Sequence, residues 1–371
     1  MKAIVFATKM GGGHMSAAQA VADALDRRGC KAQVCDFLTL TGRRTSDIVG
    51  GAYVKLVQHS PAAFGRIYRA GQLISSPHIK SVVYLANTLY ATTLSEYIAQ
   101  YSPDVLLTSH IFAAQALTHL RRTGASLPPT IGIMTDYTCA PFWEETELDA
   151  YITPHPALNA EFEARHMPSE KLHPLGIPVS PDCLPTANTA QAKCALGLDP
   201  LKPHLLVIGG SMGAGNLGQV LAALDGIDAQ VTCVCGNNSE LRDELSAQYA
   251  GRDGWHIDGY VKPLFPIMDA SDVVLSKSGG LTSTEIMTKR LPFVVINPIV
   301  GVETRNATFF EQLGVALYAR SDGEIREYAE RLLNDCAARA QMLEAQQRNV
   351  RIDASSEIAD FALKLAQHGD D

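Results

Sequence analysis

Two residues in the first half of this 371-residue chain have types suited to moving a proton. In "AIVFATKMGGGHMSAAQAVADALDRRG" an apolar run, Ala3 to Ala7, is followed by three glycines, Gly11, Gly12 and Gly13. His14 then stands where an alanine-rich helical pattern begins. An imidazole titrates near ambient pH and works as a general base while its cation is disfavoured. A helix N-terminus disfavours that cation, which predicts a lowered His14 pKa. The glycines let a phosphate or another reactant come close to the backbone. Asp136, in "MTDY", ends another apolar run and could orient His14, stabilise its protonated form or act as the base itself. A turn cap is the plainer reading of Asp136. Packing or lining a cleft is the plainer reading of Trp143.

A second set of residues suits a phosphorylated ligand. "GGSMGAGN" follows an apolar run and precedes a helical one, so the backbone N–H groups around Gly210, Ser211, Met212 and Gly213 suit a phosphate at a helix start. The spacing departs from the dinucleotide G-x-G-x-x-G register. "LSKSGGLTSTE" repeats the device with Lys277, Ser278, Gly279 and Gly280, places the Thr282 hydroxyl in the first helical turn and sets Glu285 further along. A carboxylate there can accept both hydroxyls of a ribose, although a surface or helix-dipole role is the commoner fate of such a residue. Two phosphate-type turns with one ribose-type acid suggest a nucleoside diphosphate at the carboxyl ends of the strands. "NPIVGVETRNATFF" reads as a loop presenting Glu303, Thr304, Arg305 and Asn306 to a hydroxyl-rich ligand, or else as a helix capped by Thr304 or Asn306.

The elements that must position these groups follow one plan. Strand-like runs ("AIVFAT", "KAQVCDFL", "DVLLTS", "TIGIMTD", "DAYITP") alternate with helical patterns at Met15 to Arg28, Phe112 to Arg122 and Pro156 to His166. After the proline-rich "PLGIPVSPDCLPTANT" the plan restarts with "HLLVIGG", "AQVTCVCG", "WHIDGY", "DVVLSKSGG" and "PFVVINP". This is parallel α/β architecture, and the length favours two domains. They are placed at 1–180, with a basic insertion at 42–90, and at 200–350. A closing helix in 351–371 could pack back on the first domain. The insertion holds Arg43, Arg44, Lys55, Arg66, Arg69 and Lys80 against one acid, Asp47, with aromatics interspersed. It reads as a solvated helical insertion or as a contact for an anionic membrane surface, where each basic residue is worth ~1 kcal/mol.

A hydrophobic content of 46%, a charged content of 19% and a net charge of −8 describe an ordinary globular protein and argue against nucleic acid as a partner. No apolar run suits a secretory leader or a membrane span. The eight cysteines show no C-x-x-C pair and read as buried thiols in a reducing compartment.

Taken in order, "GGGHMSAAQAV", "MTDY…W", "GGSMG", "SKSGGLTSTE" and "NPIVGVETRN" make the chain resemble the monogalactosyldiacylglycerol synthase and processive diacylglycerol glucosyltransferase family over nearly its whole length. It is more distantly similar to the muramyl-pathway N-acetylglucosaminyltransferase. The resemblance implies a GT-B fold, with two Rossmann-like parallel-sheet domains facing across a cleft. It implies inverting transfer of a hexose from a UDP-sugar to the hydroxyl of a membrane lipid, diacylglycerol in the family. It also implies no metal ion and a cytoplasmic enzyme held peripherally on the inner face of the membrane. By motif match, Gly210 to Gly213 and Lys277 to Gly280 would hold the diphosphate, Glu285 the ribose and Val261 the uracil through its backbone, while Glu303 and Asn306 would complete the donor site. His14 would take the acceptor proton beside Gly11 to Gly13. One departure stands out: where the family usually carries Gly-Gln-Glu, this chain has Gly301, Val302 and Glu303. That removes one side-chain contact to a sugar hydroxyl, a change worth ~1–3 kcal/mol of discrimination. Transfer to another lipid-linked or small acceptor, a UDP-sugar epimerase or hydrolase on the same fold, and a non-catalytic sugar-nucleotide sensor are the alternatives.

Overall fold

The computed structural model describes residues 1–9, 12–41, 80–185, 188–211, 213 and 215–368. The chain divides into two compact units, Met1–Pro181 with Asp353–Asp371, and Asp182–Ile352.

In the first unit six parallel strands, β1 (Lys2–Ala7), β2 (Lys31–Asp36), β3 (Val105–Thr108), β4 (Thr130–Ile133), β5 (Ala150–Ile152) and β6 (Leu172–His173), lie in the order β2-β1-β3-β4-β5-β6. The four residues of β3 and of β4 are all buried, because helices cover both faces; such strands read as unbroken apolar runs. The order reverses between β1 and β3, and ligands of open α/β sheets bind outside the carboxyl ends of the strands at that switch point. Phe6 pairs with Thr108 there, so the residues following β1 and β3 emerge side by side.

The helix Gly13–Asp26 leaves β1 and buries Ala18, Val21 and Leu25 against Val5, Leu107 and Ile131 of the sheet. The closing helix Ala354–His368 adds Ile358, Ala359 and Ala362 to this core, and Arg28 of the first helical connection pairs with Asp360 at 2.5 Å. The segment at Pro156 to His166 is a shorter element than its pattern suggests. A 3₁₀ turn, Pro156–Leu158, leads into the helix Asn159–Ala164, and His166 then adopts a left-handed backbone with φ 64°.

The second unit has its own sheet, β7 (His204–Ile208), β8 (Gln230–Val234), β9 (Trp255–Asp258), β10 (Val273–Ser276), β11 (Phe293–Val295) and β12 (Leu317–Tyr318). Its order, β12-β11-β10-β7-β8-β9, is that of a doubly wound dinucleotide-binding sheet, with the switch point between β7 and β10. Ile208 pairs with Ser276, which brings the glycine turn after β7 alongside Lys277 after β10. Six cysteines are buried; contrary to the sequence expectation, Cys194 and Cys336 are exposed, each on a helix whose outer face meets solvent.

Candidate active site

At the switch point of the first sheet the described residues form a pocket of ≈ 140 Å³ lined by His14, Ser109, His110, Thr135, Asp136 and Trp143 among others. His14 is the second residue of the helix Gly13–Asp26, and its Nδ1 lies 2.8 Å from the Ser109 carbonyl oxygen. A carbonyl only accepts, so the neutral ring carries its hydrogen on Nδ1 and leaves the Nε2 lone pair available. The Thr135 hydroxyl sits 3.2 Å from the same nitrogen, and Ser109 Oγ donates back to the His14 carbonyl at 3.0 Å. The result is a clamp that fixes both the ring and its tautomer.

The His14 pKa is lowered, as the sequence predicts, but the cause differs. Burial of the ring lowers it, and the hydrogen bond to Ser109 opposes the shift. Asp136, in the turn after β4, is half-buried on the same pocket. Trp143, in the 3₁₀ turn Trp143–Glu145, is 6% exposed, packs edge-on against Tyr151 and also lines the pocket. Gly12 and Gly13 form the start of the helix; Gly11 lies outside the described residues.

The second unit assembles the other set of residues. Gly210 has φ 72°, and a Cβ there would lie 3.3 Å from Lys277 Cε. Gly213 has φ 60°, and a Cβ there would overlap the Cys235 carbonyl oxygen at 2.1 Å. A side chain at Gly210 would be strained by its positive φ, and only glycine fits at Gly213. Ser211 accepts from the Asn237 N–H through its carbonyl at 2.9 Å, tying this turn to the one after β8; Met212 lies outside the described residues. Lys277 runs against the glycine turn and donates to Glu303 Oε1 at 3.0 Å. Glu303 Oε2 accepts the Ile299 N–H at 2.7 Å. Ser278 is fully buried and its hydroxyl donates to the Glu303 carbonyl at 2.5 Å, which ties the turn after β10 to Glu303. Gly279 is the N-cap and Gly280 the first residue of the helix Gly280–Thr288, which carries the half-buried Thr282 and Glu285. Burial raises the Glu285 carboxyl to about 7 against the opposing charge of Lys289. Val261 is half-buried in the turn after β9.

Two expectations are overturned. The residues from Glu303 to Asn306 do not form a loop. The helix Val302–Gln312 begins at Val302 behind Gly301, whose φ of 117° makes the break, and neither Thr304 nor Asn306 caps it. Asn306 cannot touch a donor, because it is fully buried and donates through Nδ2 to the Ser278 carbonyl at 2.9 Å; it positions the Lys277–Gly280 turn instead. Lys80 is also not a membrane contact. Its ammonium turns inward, donates to the Glu145 carbonyl at 2.8 Å and lies 5.0 Å from the Tyr84 ring centroid, and burial lowers its pKa. Arg43, Arg44, Lys55, Arg66 and Arg69 lie outside the described residues. The helix Val82–Thr88 that follows Lys80 is inverted in polarity. Tyr84 and Asn87 are buried, Asn87 donating to Gln115 at 2.7 Å, while Val82, Leu85 and Leu89 are 77%, 57% and 80% exposed.

Residues 14–179 match the family model of monogalactosyldiacylglycerol (MGDG) synthase, and residues 204–363 match that of the glycosyltransferase family 28 C-terminal domain. This chain belongs to the glycosyltransferases built from these two domains. His14 and Asp136 fall in the MGDG-synthase match, and the glycine turns, Lys277 and Glu285 in the family 28 match. The processive diacylglycerol beta-glucosyltransferase of Bacillus cytotoxicus is 26% identical over 368 residues, covering 98% of this chain and 93% of that protein. Among solved structures, Acinetobacter baumannii MurG has a TM-score of 0.64 at 16% identity, covering 98% of this chain and 99% of its own. The UDP-GlcNAc 2-epimerase of Neisseria meningitidis, bound to UDP-GlcNAc, has 0.63 at 14%, covering 98% and 100%. The fold is therefore GT-B, and at these identities the likeness speaks for the fold alone. The family matches make the chain a glycosyltransferase.

Sequence reasoning passed over three residues of this glycosyltransferase's first-unit pocket: Ser109, His110 and Thr135. Ser109 and His110 directly follow β3, and the switch-point rule applied to a β2-β1-β3 order would have pointed to them. Among the described residues no three His, Cys, Asp or Glu side chains group as a metal site, and no helix is long and apolar enough to cross a membrane.

Proposed function

We propose that this glycosyltransferase moves a hexose from a UDP-sugar to the free hydroxyl of diacylglycerol with inversion at the anomeric carbon. The observation that carries the reading is the His14 clamp, in which Nδ1–H is committed to Ser109 and Nε2 is left as a basic lone pair on a pocket shared with Asp136. The acceptor hydroxyl gives its proton to His14 Nε2, its oxygen bonds the anomeric carbon, and the bond from that carbon to the UDP oxygen breaks with the electron pair leaving on UDP. Asp136 supports the imidazolium that results.

In the second unit the N–H groups of the Gly210–Gly213 turn and of the helix start at Gly280 receive the diphosphate, with Lys277 beside them. Glu285 takes the ribose hydroxyls, Val261 the base and Glu303 a sugar hydroxyl. The diacylglycerol named for the relatives, and the donor class of the UDP-sugar-bound neighbour, support this choice of substrates. The exposed Val82, Leu85 and Leu89 recur at i, i+3 and i+7 right after the basic stretch and support seating on the cytoplasmic, anionic face of a membrane. The test is incubation with UDP-glucose, UDP-galactose and UDP-N-acetylglucosamine and diacylglycerol in anionic vesicles, with and without EDTA. A β-linked hexosyl lipid formed equally under both conditions is expected. Failure of all three donors to label lipid sinks the reading.

A further inference from the structure

The His110 ring packs against that of His14 at the pocket of the first unit, the two rings edge-to-face with centroids 4.6 Å apart and planes at 84°. Its fold context fixes it as firmly as Ser109 fixes His14. It caps the helix Ile111–Arg122, and its Nδ1 accepts the Phe112 N–H at 3.2 Å. The Phe112 ring packs on it at 4.5 Å and 76°. Thr108 Oγ1 accepts the His110 N–H at 3.1 Å and donates to its carbonyl at 2.8 Å, closing the strand end around it. A ring whose Nδ1 must accept carries its hydrogen on Nε2. Burial and the neighbouring His14 hold the His110 pKa well below the ordinary histidine range, so the ring stays neutral.

The two histidines are thus locked as opposite tautomers. His14 presents an Nε2 acceptor and His110 an Nε2–H donor, and among the described residues neither Nε2 has a hydrogen-bond partner. We infer that His110 is a second substrate-contacting residue, whose Nε2–H donates to the oxygen of the acceptor alcohol while that alcohol's own hydrogen points to His14 Nε2. This rests on the transferase reading above. A hydroxyl is the ligand group that satisfies both nitrogens at once, since it donates once and accepts on the same atom. As the proton passes to His14 and the oxygen–carbon bond forms, charge on the oxygen is held by a donor that is already oriented. A pair of identical tautomers could not do this: two acceptors would leave the oxygen without a donor, and two donors would leave no base.

The experiment combines ¹⁵N-histidine NMR of the full chain with turnover of His110→Asn and His110→Gln. Asn keeps the helix-capping acceptor near the backbone and loses the reach of Nε2; Gln keeps an N–H at the reach of Nε2 and caps poorly. The expected spectra show His14 protonated on Nδ1 and His110 on Nε2, and dioctanoylglycerol with UDP moves the His110 Nε2 resonance. The expected kinetics are an about 10- to 100-fold lower kcat/KM for diacylglycerol in His110→Asn, with UDP affinity unchanged and His110→Gln restoring most of the loss. A His14 ring protonated on Nε2, an unmoved His110 resonance at saturating alcohol, or Asn retaining more activity than Gln would each overturn the assignment, the last because it is the ranking a purely capping residue gives. If the wild type shows both tautomers and the alcohol-induced shift yet transfers no hexose, the transferase reading falls and the His110 contact stands.

Discussion

Glu285 gives the sharpest test of donor binding, because its ionisation is measurable without turnover. Its carboxyl is raised to about 7 by burial on the helix Gly280–Thr288, and among the described residues nothing hydrogen-bonds that carboxylate. The gap from an ordinary glutamate is worth about 3 kcal/mol. Its sign follows from proton counts. Between the unfolded and folded pKa values the native state holds the extra proton, so stability falls as pH rises through that window and is lowest above about 7. Ribose hydroxyls donating to the ionised carboxylate would replace the lost solvation and pull the pKa back down.

Only the ionised form accepts two hydroxyls, and at a pKa near 7 it makes up about 90% of the protein at pH 8 and about 10% at pH 6. The Kd for a UDP-hexose is therefore expected to rise about tenfold, or ~1.4 kcal/mol, from pH 8 to pH 6. A UDP-hexose is the proper titrant, since its diphosphate is a diester whose ionisation does not change in this range. Isothermal titration calorimetry at three pH values, in buffers of different ionisation enthalpy, reads both the affinity and the proton released on binding. Glu285→Gln should abolish the pH slope, weaken binding at pH 8 and raise the Tm there, since it removes a poorly solvated charge. A flat Kd across pH 6 to 8, or an unchanged slope in the variant, refutes the ribose assignment.

Three further outcomes are expected. His14→Ala should cut kcat by about 10²–10⁴-fold while UDP-hexose affinity measured by calorimetry stays within twofold; the wild-type kcat at saturating UDP-hexose should hold as pH falls past about 6.5, the ordinary histidine pKa, because burial lowers that of His14. Gly213→Ala should lower the Tm markedly in a thermal melt, since the added Cβ meets the Cys235 carbonyl oxygen at 2.1 Å with φ at 60°. On the closing helix, Ile358→Ala should cost about 2–5 kcal/mol in urea unfolding, whereas Asp360→Ala should cost less than about 1, because Ile358 is fully buried and the ion pair of Asp360 is half-exposed.

The α/β plan was legible because strands covered on both faces, such as β3 and β7, read as unbroken apolar runs, and because the helices between them begin at glycine-rich turns. The start of the helix Val302–Gln312 was not legible. Capping rules look for a side-chain acceptor, and Gly301 supplies none, so the pattern pointed past the true start to Thr304 and Asn306. The direction of the His14 shift was legible and its cause was not, since a dipole belongs to the local helix whereas burial depends on what β3 and β4 bring to the ring.

The deepest gap concerns strand neighbours. His14 and Ser109 are 95 residues apart and meet only because β1 lies beside β3, an adjacency that no local spacing encodes. The group that sets the His14 tautomer is moreover a backbone carbonyl. Any residue at position 109 would supply that oxygen, so no pattern of side-chain types can flag it, and the same holds for the Phe112 N–H that sets His110. The side chains supply two imidazoles, and which ring nitrogen carries the hydrogen in each is set by the main chain just after β3.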